Sequence, residues 1–129
     1  MEDADIQFQP MLADVSNALV RLHKTQFGRG PTRARSAFAG PNVLVVVLED
    51  ALLPAEVKLV ELGEQARVRE SRGAFQAATA TEFIEAIESI VDRKVQAFAS
   101  AVDPDTCVVF ENFYFHPADT GSDGASPSA

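Results

Sequence analysis

Residues 43–48 place the strongest constraint on the fold, because all six are aliphatic (Val-Leu-Val-Val-Val-Leu). Side chains along a β-strand alternate between the two faces of a sheet, so a strand with one polar face needs cover on one side only. This segment has no polar face, and it is far shorter than the roughly 20 apolar residues that span a bilayer. We therefore expect a central strand that is covered on both sides.

Hydrophobic periodicity predicts three helices and three further strands around this segment. Pro54 favours the start of a short helix that Gly63 ends. Gly73 lies inside the longest helical pattern, where a kink or a break is expected to be tolerated. The predicted elements are a helix over 8–27, strands over 33–39 and 43–48, helices over 54–62 and 64–91, and strands over 95–102 and 106–115.

The order helix–hairpin–helix–helix–hairpin predicts a two-layer α+β fold around a four-stranded, mainly antiparallel sheet. We expect one domain over residues 8–115, a flexible N-terminus over 1–7 and a disordered polar tail over 116–129. If the helices cover one face of the sheet, the other face keeps apolar side chains from the second and fourth strands. A homodimer, or docking onto a larger protein assembly, would cover that face.

Charge and cysteine content narrow the classes of function. The chain has 11 basic and 19 acidic residues, a net charge of −8, which argues against binding along nucleic acid. A single cysteine excludes an internal disulfide, and the acidic N-terminus has no signal-peptide pattern. We therefore expect a cytoplasmic protein without direct membrane insertion.

Residues 21–35 contain five basic residues and no acid, and they include the segment Gly-Arg-Gly-Pro-Thr-Arg at 28–33. Glycines that expose backbone N–H groups, next to arginines, could bind a small anion, a nucleotide phosphate or an acidic partner. The alternative is structural, and it is favoured: a basic helix C-terminus followed by the solvent face of an edge strand. The candidate anion- or partner-binding residues are Arg29, Gly30, Thr32, Arg33 and Arg35.

No residue pattern indicates catalysis, a metal site or a cofactor. An acidic stripe on the long helix is interpreted as its hydrated side. His23 and His116 are isolated in the sequence, without ligands at metal-binding spacing. Cys107 is interpreted as a buried structural thiol inside the last strand.

Several segments together resemble one family, the MpsC-like family, over roughly residues 8–114. They are Gly-Arg-Gly-Pro-Thr at 28–32, the run Val-Leu-Val-Val-Val-Leu-Glu-Asp at 43–50, the helix over 52–63 and the hairpin over 93–113. The family is named for a component of a sodium-translocating, membrane-potential-generating system in bacteria. The resemblance implies a small soluble protein linked to sodium or inorganic-carbon transport, and it brings no catalytic residues.

Two hypotheses of function follow. The first is a non-enzymatic cytoplasmic accessory or adaptor protein that acts through protein–protein contacts, as a homodimer, within a larger assembly or on a membrane transporter. The second is a regulatory module that senses a small anion or a nucleotide through the basic loop over residues 28–35.

Overall fold

The computed structural model describes residues 2–117, with side chains from residue 9 onward. The helices are α1 (Glu2–Phe27), α2 (Pro54–Glu61) and α3 (Gln65–Val91). The strands are β1 (Arg33–Phe38), β2 (Val43–Glu49), β3 (Val95–Asp103) and β4 (Val108–Phe115). The predicted α+β class and element order are confirmed. Among the described residues, no helix is long and apolar enough to cross a membrane.

The four strands form one sheet in the order β1-β2-β4-β3, and every neighbouring pair is antiparallel. Both highly apolar strands, β2 and β4, therefore lie in the centre, while β1 and β3 form the edges. α1 packs on β1, α3 packs on β3, and the two helices contact each other. Their buried residues meet one face of the sheet, which we call the helix-covered face.

The core lies between this face and the two long helices. Leu19 of α1 and Ile87 of α3 are fully buried against inward residues of β2 and β4. Phe83, Phe98 and Phe113 stack in a column that links α3, β3 and β4, with ring centroids 5.9 and 4.7 Å apart. Stacked aromatic rings of this kind add to the free energy of simple area burial.

The ends of the chain differ in part from the prediction. α1 begins at Glu2, six residues before the predicted start, and contains Pro10 in its early turns. Flexibility of residues 1–7 is a separate property and stays a prediction. The predicted disordered tail, residues 116–129, falls outside the described residues from residue 118 onward.

Cys107 corrects one sequence interpretation. It lies in the turn between β3 and β4 rather than inside the last strand, it is half-buried, and its φ is 61°. Its carbonyl accepts a 2.9 Å hydrogen bond from the backbone N–H of Ala51. The hairpin needs a left-handed residue before β4 can begin, and this requirement outweighs the apolar character of the side chain.

α3 runs without interruption through Gly73. A Cβ atom added at this glycine would have no heavy atom within 4 Å, so no close contact requires glycine there. Gly63, just after α2, also has open space, but its φ of +80° strains any residue with a side chain. The two glycines therefore differ in backbone conformation and not in available space.

Gly73→Ala should raise the free energy of unfolding by about 0.5–1 kcal/mol, because alanine has the higher helix propensity. Gly63→Ala, the matched control, should lower it by about 1 kcal/mol, because the left-handed conformation is unfavourable for alanine. Urea denaturation of the three proteins gives both differences. A destabilised Gly73→Ala variant would contradict the open space around this residue.

Candidate functional site

Arg29, the first of the basic candidates, makes its contacts within the chain. Its guanidinium donates to the Asp50 carboxylate at 2.7 Å and to the backbone carbonyls of Asp50 and Leu52 at 3.0 Å each. These bonds join the loop before β1 to the loop after β2. Arg29 therefore has a structural function that sequence alone did not assign to it.

Gly30 and Thr32 occupy the same loop for backbone reasons. A Cβ atom on Gly30 would lie 3.2 Å from the carbonyl oxygen of Val20, so glycine lets the loop approach α1 closely. The backbone N–H of Thr32 donates to the Glu49 carbonyl at 3.1 Å and extends the ladder between β1 and β2. The Thr32 side chain is exposed.

Arg33 and Arg35 lie on the sheet face that the helices leave open, away from the bonds of Arg29. Both side chains are more than 60% exposed, and each is 3.8 Å from a carboxylate oxygen of Glu49. Exposed pairs at this distance contribute little to stability. The structure does not gather the five candidates into one pocket, and anion binding by them stays a prediction.

The open face of the sheet is the second candidate site. Alternation along the strands places most outward side chains of β2, β3 and β4 in one apolar layer, with Asn112 as a polar residue at its centre. Phe110 and Tyr114 are 38% and 42% exposed. Its other residues are Val43, Val45, Val47, Val108, Ala37, Ala97, Ala99 and Ala101, together with Arg33, Arg35, Glu49 and Asp103 at its margins.

Charged residues of opposite sign lie on the two edges of this open face. Arg33 pairs with Glu49 on the β1 side, and Asp103 pairs with Val108 on the β3 side. The last aligned pair of β2 and β4 is Leu48 with Val109, and Glu49 and Val108 are the next residues of these two strands. Both pairs therefore lie at the same end of the sheet. One end of the open face is therefore basic at the β1 edge and acidic at the β3 edge.

The helix-covered face contains polar residues that the sequence analysis missed. His23 is isolated in the sequence, but in the fold its Nε2 atom lies 2.8 Å from Oε2 of Glu111. Both residues are 3% exposed. Sequence spacing does not reveal this contact because Glu111 follows His23 by 88 positions, on a strand that the fold brings under α1.

A buried ion pair joins α3 to α2. Arg72 donates from Nε to Oε2 of Glu56 at 2.7 Å and from Nη2 to Oε1 at 2.6 Å. Its Nη2 also donates to the Ala51 carbonyl at 2.8 Å, and its guanidinium lies 4.0 Å above the Phe27 ring. The same Glu56 accepts from the backbone N–H of Leu53 and so caps α2.

A weak sequence signal marks these buried charges. His23 follows Leu19 by four positions on the apolar stripe of α1, and Arg72 follows Val68 by four on α3. Glu111 alternates with Val109 and Phe113 on the inward side of β4. In each element, a polar residue occupies a position where the helical or strand periodicity predicts an apolar residue.

His23, Arg72 and Glu111 line one cavity of about 340 Å³ on the helix-covered face. α1, α3 and the β3–β4 hairpin form its walls, and several phenylalanine rings contribute to them. Within residues 2–117, no three His, Cys, Asp or Glu side chains are grouped as metal ligands would be. The molecule thus has two separate candidate sites, an apolar open face and a cavity with buried polar side chains among its largely apolar walls.

Comparison with known proteins identifies a family that covers most of the chain. The family described as "Na+-translocating membrane potential-generating system (MpsC)" matches residues 9–116. No curated protein matches the chain, and no solved structure does.

Arg72→Ala should lower the free energy of unfolding by about 3–5 kcal/mol, because it leaves the Glu56 carboxylate buried without its partner. Arg67→Ala is the matched control on the same helix, because Arg67 pairs with Glu64 at the surface. That change should cost about 1 kcal/mol or less. Equal losses in urea denaturation would contradict a special contribution of the buried pair.

Proposed function

The chain belongs to the MpsC family, which is linked to a Na+-translocating membrane-potential-generating system, and from this premise we propose that it is a non-enzymatic accessory protein that dimerises through its open sheet face. The observation that carries the proposal is the apolar layer on that face. The absence of an enzymatic activity is part of the proposal and rests on the lack of a catalytic motif in the sequence.

The apolar layer favours a protein partner on energetic grounds. Burial of apolar surface stabilises by about 25 cal/mol per Å². The surface of a monomer seldom keeps a contiguous apolar patch of this kind unless the patch serves an interaction. Phe110 and Tyr114 supply the aromatic anchors that are typical of interface centres.

A second copy of the chain fits this face by shape. Two sheets that pack face to face lie about 10 Å apart, with their strands nearly aligned. A two-fold axis that runs parallel to the strands, between the sheets, places β2 of each copy over β4 of the other. Val47 of one copy then faces the large Phe110 of the other, and Val45 faces the amide of Asn112. Larger side chains of β4 therefore meet smaller ones of β2.

The same axis also places opposite charges of the two copies next to each other. It places β1 of each copy over β3 of the other, and Arg33 of one copy faces Asp103 of the second. The pair forms twice, because the interface is isologous. A two-fold axis that lies between the sheets but runs perpendicular to the strands would instead place β1 over β1. The arginines would then have no acidic residue opposite them.

Dimerisation is compatible with an accessory function in a sodium-linked system. The open face is used for the second copy, while the outer surfaces of α1 and α3 remain available to other proteins. The dimer would then present two identical surfaces to a larger assembly. Inorganic-carbon transport, a membrane transporter as a further partner and a cytoplasmic location belong to this same proposal.

Phe110→Lys should convert the dimer into a monomer, because it buries a charge at the centre of the interface. We expect the dimer Kd to rise about 30-fold or more, as at an interface hot spot. Phe75→Lys is the matched control: Phe75 is 43% exposed, close to the 38% of Phe110, but lies on α3. Sedimentation equilibrium measures all three proteins, and a monomeric wild type at millimolar concentration would refute the proposal.

A charge exchange tests the orientation of the two copies. Arg33→Asp should weaken the dimer about three- to tenfold by placing like charges opposite each other. Combined with Asp103→Arg, it should recover most of the wild-type Kd. A double variant that is no tighter than Arg33→Asp alone would exclude the axis parallel to the strands, while leaving dimerisation itself intact.

A further inference from the structure

The cavity on the helix-covered face has the size of a small-molecule site. Its volume is about 340 Å³, at the lower end of the range of about 300–1,000 Å³ that is typical of ligand pockets. It lies on the opposite side of the sheet from the proposed dimer interface. An inference about it is therefore independent of dimerisation.

Four residues that line this cavity each carry a buried polar atom with no hydrogen-bond partner among residues 9–117. The atoms are Nδ1 of His23, Nε2 of Gln26, Nη1 of Arg72 and Oε1 of Glu111. His23, Arg72 and Glu111 are 3%, 8% and 3% exposed. Folded proteins leave few such groups unpaired, because each costs about 1–3 kcal/mol.

The four atoms divide into donors and acceptors. Arg72 Nη1 and Gln26 Nε2 can only donate, and Glu111 Oε1 accepts. In the neutral His23 ring, Nε2–H donates to Glu111, which leaves Nδ1 as an acceptor. A matching ligand must therefore offer both acceptors and donors, and ideally two of each.

The charge and the composition of the cavity walls restrict the chemical class of the ligand further. The Arg72 guanidinium is already neutralised by Glu56, and the Glu111 carboxylate offsets the exposed Arg69, so the charged side chains around the cavity carry no net positive charge for an anion. Phe27, Phe83 and Phe98 form apolar walls, and Phe75 stands partly exposed beside the Phe27 ring at 5.0 Å. Aromatic walls of this kind favour a flat, uncharged ring.

We propose that this cavity binds an amino-substituted nucleobase, as the free base or as its nucleoside. Such a base is planar, and its edges carry an amino group with ring nitrogens or carbonyl oxygens beside it. The amino group donates to Glu111 and His23, while the acceptor atoms receive hydrogen bonds from Arg72 and Gln26. The ring stacks among the phenylalanines, and a ribose lies toward the cavity mouth near Phe75.

The first experiment titrates the full-length protein with guanosine, adenosine and cytidine, followed by two-dimensional amide NMR. Uridine, which has no amino group, and benzoate, an aromatic anion, are the reference probes. We expect at least one amino nucleoside to bind saturably, at least tenfold more tightly than either reference. No saturable binding below about 5 mM, which would indicate a cavity holding solvent only, or equal affinity for uridine or benzoate would overturn the proposal.

The second experiment places the binding in the cavity. Gly73 lines the cavity and its neighbour Ala74 does not, so Gly73→Phe should abolish nucleoside binding while Ala74→Phe retains it. Gln26→Ala should weaken binding about three- to tenfold through the loss of one hydrogen bond. Circular dichroism verifies that each variant folds. Equal affinity in the two phenylalanine variants, or wild-type affinity in Gln26→Ala, would exclude this cavity as the site.

Discussion

The fold depends on two neighbouring central strands, β2 and β4, whose side chains are largely apolar on both faces. Half of these side chains point to α1 and α3, where they form the core with residues such as Leu19 and Ile87. The other half must point away, because alternation along a strand has a period of two. One helical layer cannot cover both halves. The open apolar face is therefore a direct consequence of strand geometry, and the proposed interaction with a second polypeptide rests on it.

The core itself is not uniformly apolar. Two buried polar pairs hold elements that are distant in sequence: the hydrogen bond of His23 with Glu111 joins α1 to β4, and the ion pair of Arg72 with Glu56 joins α3 to α2. Removing charged groups from water is costly, so such pairs seldom stabilise a fold as well as apolar residues of equal size. Here each pair also leaves polar atoms without a partner among the described residues, and the residues that carry these atoms line the same cavity. This arrangement, which stability alone does not require, is what supports the proposed recognition of a polar molecule.

The sequence predicted the fold well because the relevant signals are local. Helical and strand periods, Pro54 and Gly63 located six of the seven elements to within two residues at each end, and they located the C-terminal end of α1 but not its start. The apolar run at 43–48 predicted a central strand. Contacts between residues that are distant in the sequence could not be predicted from these local signals. Nothing near His23 in the chain indicates that Glu111 lies opposite it, and Arg29 gave no sign that backbone carbonyls after β2 would engage its guanidinium. Cys107 was misplaced because a turn conformation overrode its apolar character.

The register of β4 keeps the two recognition surfaces apart. Successive residues of this strand serve different faces: Phe110 points to the open face, whereas Glu111 points to the cavity. A shift of one residue would exchange every side chain between the faces and would place a carboxylate in the apolar layer. Pairing with β2 over six aligned rows, and the left-handed Cys107 at the start of the strand, oppose such a shift. The same backbone hydrogen bonds that build the sheet therefore also decide which residues face the proposed partner and which face the proposed ligand.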